Sequence, residues 1–166
     1  MRYSCMRKLK LWKCNDWSQY VDPSGRNGLH LRFDAGVDPE VHRACLEFAA
    51  WLRRYFVFPL RIYIWLKNKD ALVLPKGKRI SSIFIESPHR MNDPCIRIAV
   101  GNYDALVQEH GKDGALAVIM TMMTFELSHY FQWLKGLDLT RSRKAIQARY
   151  YTNEIMDSYL EEREHL

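Results

Sequence analysis

The stretch from Ala115 to Leu134 constrains this chain more than any other, because it is a 20-residue apolar run holding one acid, Glu126, one histidine, His129, one amide, Gln132, and no base. Bounded by Gly114 and Gly136, it reads as a helix. At about 1.5 Å per residue it would reach about 30 Å, enough to cross a bilayer. A membrane span would, however, strand Glu126 and His129 near the middle of the hydrocarbon at a cost of kilocalories. The expectation is therefore a buried central helix and no membrane. With 3.6 residues per turn, positions 125, 126 and 129 crowd one side, so Glu126 and His129 can share a site.

The residues Phe125-Glu126-Leu127-Ser128-His129, continuing Tyr130-Phe131-Gln132-Trp133, resemble the active-site helix of small zincin (gluzincin-like) zinc metallopeptidases. That helix commonly reads His-Glu-Leu-Thr/Ser-His-Tyr-Phe-Gln-Trp. In the H-E-x-x-H signature two histidines at i and i+4 hold zinc on one helix face, and the glutamate polarises a water. The one departure is Phe125, which has no lone pair to give a metal. The resemblance runs roughly from Asp38 to Leu160 and implies an α+β fold. Its parts would be a backing helix, a small twisted sheet of three or more strands, the central active-site-type helix and a C-terminal helix. It implies Glu126 as catalytic base and His129 as a metal ligand. Glu154, in the pair Asn153-Glu154 that lies 25 residues beyond His129, would be the matching third ligand. Catalytic zinc normally takes three protein ligands and a water, so no cofactor is expected, with zinc only if the site still functions. A substitute donor would have to come from His89, His110 or Cys95, none at the required helical offset. Asp157 and Glu161, near the face carrying Glu154, read as solvated acids.

The rest of the chain fits one domain. Its 166 residues, 48% of them apolar, can bury a sizeable core but not two. Residues 1–28 read as a basic N-terminal arm and linker, and 29–166 as the domain. Arg2, Arg7, Lys8, Lys10 and Lys13 precede the first acid, Asp16, and Trp12 and Trp17 lie among or just beyond them. Such a mixture can bind phosphate and stack on bases; equally, it can be a peripheral solvated arm whose tryptophans dock on the domain, the reading preferred here. Cys5, Cys14, Cys45 and Cys95 show no metal-type pairing and nothing resembles a secretory signal, so reduced thiols and a cytoplasmic location are expected.

Leu29 to Phe33 alternates as a short strand should, and Asp38-Pro39-Glu40 supplies an N-cap with proline at N1. Val41, Ala44, Cys45, Phe48, Leu52 and Tyr55 then recur at helical steps and define the backing helix, Pro39 to Tyr55. Leu60 to Leu66 alternates as a half-buried strand, Ile80 to Glu86 is β-rich, and Cys95 to Val100 completes the set. By the resemblance, Cys95 to Val100 would be the edge along which an extended peptide could add by main-chain hydrogen bonds. The last helix, Arg141 to Leu166, carries Arg141, Arg143, Lys144 and Arg149 in its first half and Glu161, Glu162 and Glu164 at its end. That charge order opposes the helix macrodipole, and propensity does not explain it.

Three functions are compatible with these residues. The first is a zincin-fold protein with lost or weakened zinc-dependent peptide hydrolysis that acts by binding a peptide or protein segment in the cleft. The second is an active zinc metallopeptidase with a substituted ligand, Glu126 acting as base. The third is a basic nucleic-acid-associated module acting through the arm.

Overall fold

The computed structural model describes residues 9–14, 28–87 and 93–166. In chain order these form a 3-10 turn, Lys10–Trp12, then β1 (Leu29–Phe33), α1 (Pro39–Tyr55), β2 (Ile62–Lys67), β3 (Leu72–Val73), β4 (Arg79–Ile80), β5 (Ser82–Ile85), β6 (Cys95–Ala99), α2 (Tyr103–Leu134) and α3 (Arg141–Glu161). The architecture is α+β, a small mixed sheet packed against three helices. The backing helix starts where its signals put it: the Asp38 side chain accepts from the Glu40 N–H at 2.8 Å, and Pro39 occupies the first turn, where its missing donor costs nothing.

Four strands lie in the order β1-β2-β6-β5. β1, β2 and β6 are parallel, and β5 runs antiparallel to β6 at the edge. Parallel neighbours cannot be joined by a tight hairpin, so α1 carries the chain across between β1 and β2. Alternation then sorts the faces: Ile62, Ile64, Leu66, Ile96 and Ile98 are fully buried toward the helices, while Tyr63, Trp65, Cys95 and Arg97 look the other way. This corrects the expectation for Cys95 to Val100. That strand is internal, between β2 and β5, and the edge on this side of the sheet belongs to Ser82–Ile85.

α2 is broken at Gly111, whose φ of 75° and ψ of 174° leave the helical region. The sequence reading placed the stop at Gly114, three residues later; Gly114 is helical, and the break falls on the glycine that adopts positive φ. Gly136 ends the helix as expected. With φ 62° it lets its N–H reach the Trp133 carbonyl and the Leu137 N–H reach that of Gln132, both at 3.0 Å, the Schellman arrangement.

The peripheral arm needs a second correction. Leu9 and Trp12 are 0% exposed, and Trp12 is wedged among Phe56, Phe58 and Phe131. Its indole N–H donates to Ser128 Oγ at 3.0 Å, the Leu11 N–H donates to the Tyr151 hydroxyl, and Lys135 Nζ ties down the carbonyls of Lys10 and Lys13. The core thus includes Leu9, Leu11 and Trp12, which gain more by burial than their basic neighbours lose. Trp17 and Cys5 lie outside the described residues; Cys14 and Cys45 are free thiols. No described helix is long and apolar enough to cross a membrane.

Candidate functional site

Between β5 and α2 lies a cleft of 420 Å³. α2 forms its floor with Glu126, His129, Gln132 and Trp133, the β3–β4 hairpin overhangs one side with Leu74, Lys78 and Ile80, and the start of α3 closes the other with Arg141 and Lys144. Two of the three residues proposed from sequence meet here, Glu126 and His129.

Glu126 is buried, 5% exposed as a residue, and the environment of its carboxylate follows from the strand parity of β5. The Ala99 N–H donates to the Ser81 carbonyl, so positions 81, 83 and 85 turn their main-chain groups toward β6. Ser82 and Phe84 therefore turn theirs outward, to the cleft. Glu126 takes up two of the donors presented there: the Ser82 hydroxyl at 2.8 Å and the Phe84 main-chain N–H. Burial raises the Glu126 pKa above the usual glutamate range; the Ser82 hydroxyl, His129 and the Phe84 N–H each pull it partly back.

His129 is fixed from the far side. Gln132 Nε2 donates to the Lys144 carbonyl at 3.0 Å and to Gln147 Oε1 at 2.9 Å. A carbonyl can only accept, so the Gln132 amide orientation is determined, and Gln132 Oε1 is what faces His129 Nδ1 at 2.7 Å. In the neutral ring Nδ1 must carry the proton, which leaves the Nε2 lone pair available. A metal-binding histidine is commonly oriented by a hydrogen bond of this kind. Phe125 packs its ring edge-on against His129, with centroids 4.8 Å apart at 85°, and is not part of the cleft wall.

Glu154 is on the neighbouring helix but not in the cleft. Contacts of Thr124 with Met156 and of Gln132 with Gln147 show that α3 runs antiparallel along α2, which puts Glu154 on the stretch facing residues 125–129. Its side chain is half-buried and does not line the cleft. Asp157 and Glu161 are exposed, as expected of solvated acids. The proposed substitute donors fare no better. Cys95 alternates onto the sheet face away from the helices, His110 borders a separate hollow near Gly111, and His89 lies outside the described residues. Among the described residues, no three His, Cys, Asp or Glu side chains are grouped to hold a metal ion.

Sequence reasoning missed Ser82, the Phe84 N–H, Lys78, Gln147 and the placement of Arg141 and Lys144. The signals were partly there: β-alternation puts Ser82 and Phe84 on one face, and the misfit charges at the start of α3 marked Arg141 and Lys144 as needing an explanation. Compared with known family models, curated proteins and solved structures, the chain matches none.

Proposed function

We propose that this chain is a zincin-like domain that has lost zinc-dependent hydrolysis and works by holding an extended peptide segment in the cleft between β5 and α2. The observation that carries this reading is the fate of Glu126. A general base must be free to take a proton from a water, yet here the carboxylate is turned to the edge strand and engaged by Ser82 and Phe84. The likeness to the family rests on the motif from Phe125 to Trp133, on the backing helix, and on an edge strand running beside the motif helix. The oriented His129 supports it too, as a ligand position kept after its partner at 125 became phenylalanine. The outward carbonyls of Ser82 and Phe84 support edge-strand addition as the binding mode, since they face away from β6 and could accept from the N–H groups of an added strand.

Two measurements test the two halves. Elemental analysis of the purified chain is expected to give far less than one zinc per molecule, and Phe125→His is expected to raise that content, because it restores the nitrogen donor one turn before His129. Stoichiometric zinc in the unmodified chain overturns the loss of chemistry; no zinc gained by Phe125→His overturns His129 as a kept ligand position. For the binding mode, a fluorescent extended peptide is compared with its copy N-methylated at alternate residues, which lacks the donors for an edge strand. Equal binding of the two refutes peptide addition to β5.

A further inference from the structure

Arg141 and Lys144 stand one turn apart on α3 and line the same wall of the cleft, with Lys78 reaching in from the hairpin opposite. None of the three makes an ion pair or a side-chain hydrogen bond among the described residues. The two carboxylates of the cleft form no ion pair with them. Glu126 is engaged by β5, and Glu86 is exposed at the end of that strand without an ion pair. The first turn of α3 contains no acid at all. At a helix N-terminus the macrodipole favours acids and disfavours cations, so Arg141 and Lys144 occupy positions that helix stability alone would give to Asp or Glu. Stability set aside in this way, at residues that converge on one cleft, is the mark of a binding requirement.

We propose that the segment bound in this cleft is acidic: an extended peptide whose carboxylate side chains reach Arg141 and Lys144 on one side and Lys78 on the other. The proposal rests on the peptide-binding reading above and names the class of peptide. Three features favour a peptide over another polyanion. The edge presents main-chain groups at strand spacing, the apolar Leu74, Ile80 and Trp133 share the lining with the cations, and the cations come from two separate elements, the hairpin and α3. An alternation of acidic and apolar side chains matches that lining.

The test uses the whole chain and fluorescence anisotropy at moderate ionic strength. The probes are a labelled peptide alternating Glu and Val, its counterpart with Gln for Glu, and a single-stranded thymidine oligonucleotide of equal charge. The acidic peptide is expected to bind at least about tenfold tighter than the Gln peptide, with the difference shrinking as salt rises. The double variant Arg141→Gln/Lys144→Gln should remove most of that preference and leave the Gln peptide unaffected. Arg143→Gln serves as control, since Arg143 sits in the same turn but outside the cleft. If both peptides bind equally, the inference fails while the peptide-binding reading stands; if neither binds, both fail. Oligonucleotide binding as tight as the acidic peptide's, and equally sensitive to the double variant, overturns the assignment to a peptide.

Discussion

Removing the side chain of Trp12 is the sharpest test of where the folded domain begins. The indole is 0% exposed and in ring contact with Phe56 at 5.0 Å, Phe58 at 6.3 Å and Phe131 at 4.9 Å. Truncating a buried large aromatic to alanine costs about 3–5 kcal/mol, transfer and cavity terms together. The indole hydrogen bond to Ser128 adds little beyond this, because Ser128 Oγ keeps its own bond to the Thr124 carbonyl at 3.0 Å and is not left stranded. Taking about 4 kcal/mol, and about 2–4 °C per kcal/mol for a domain of this size, Trp12→Ala should lower Tm by about 8–16 °C. Trp12→Phe keeps most of the ring contacts and loses the N–H, so about 1–2 kcal/mol and a few degrees are expected. Thermal melts followed by circular dichroism read both. If Trp12→Ala melts within about 2 °C of the parent, or a chain lacking residues 1–14 unfolds just as cooperatively at the same temperature, the arm is dispensable and the reasoning fails.

Asp34 governs a pH dependence: burial alone would raise its pKa, but the Lys67 ammonium, the Asn68 N–H and the Trp65 indole together hold it below the ordinary value of 3.8. A lowered folded pKa means stability that is present above 3.8 and is lost as pH falls through the folded value, so Asp34→Asn should cost about 1 kcal/mol at neutral pH and progressively less in acid; a pH-independent difference in urea melts would contradict this. Gly136→Ala forces a non-glycine residue to φ 62° and should destabilise by about 1 kcal/mol, seen as a lower urea midpoint at unchanged slope. Thr140→Ala removes the acceptor for the Arg143 N–H at the start of α3 and should cost about 0.5–2 kcal/mol; an unchanged midpoint would show that the cap carries no weight.

Much of the fold was legible because local signals and burial agree along it. The Asp38-Pro39 start, the alternation of Ile62 to Leu66 and the glycine at 136 each carry their own physical cause, and each element forms where that cause sits. What failed was sheet order. Nothing within Cys95 to Ala99 tells an inner strand from an edge strand when its apolar residues alternate either way; the answer lies in which neighbours the loops deliver. Trp12 was misread for a related reason. The surrounding lysines and arginine set the segment's apparent polarity, while its packing is decided by three apolar side chains with a hydrophobic pocket waiting between α1 and α2. For the site, helical geometry was enough to bring Glu126 and His129 to one cleft, but not to reveal that Ser82 and Phe84 would meet the carboxylate there. Contacts between segments 44 residues apart, such as Ser82 with Glu126, leave no local trace.

The grip of Glu126 on β5 also bears on how this chain keeps to itself. A four-residue edge strand with unpaired outward amides is a template on which a second copy can pair and begin a continuous sheet. Here the Phe84 amide is already occupied by a carboxylate from the same molecule, so an added strand can pair with this edge only through its carbonyls, a thinner ladder than a second copy needs to begin a continuous sheet. Glu126→Leu vacates the amide and leaves apolar surface beside it. That variant should keep its helices yet self-associate at concentrations where the parent stays dispersed, which makes Glu126 the guard of an exposed edge.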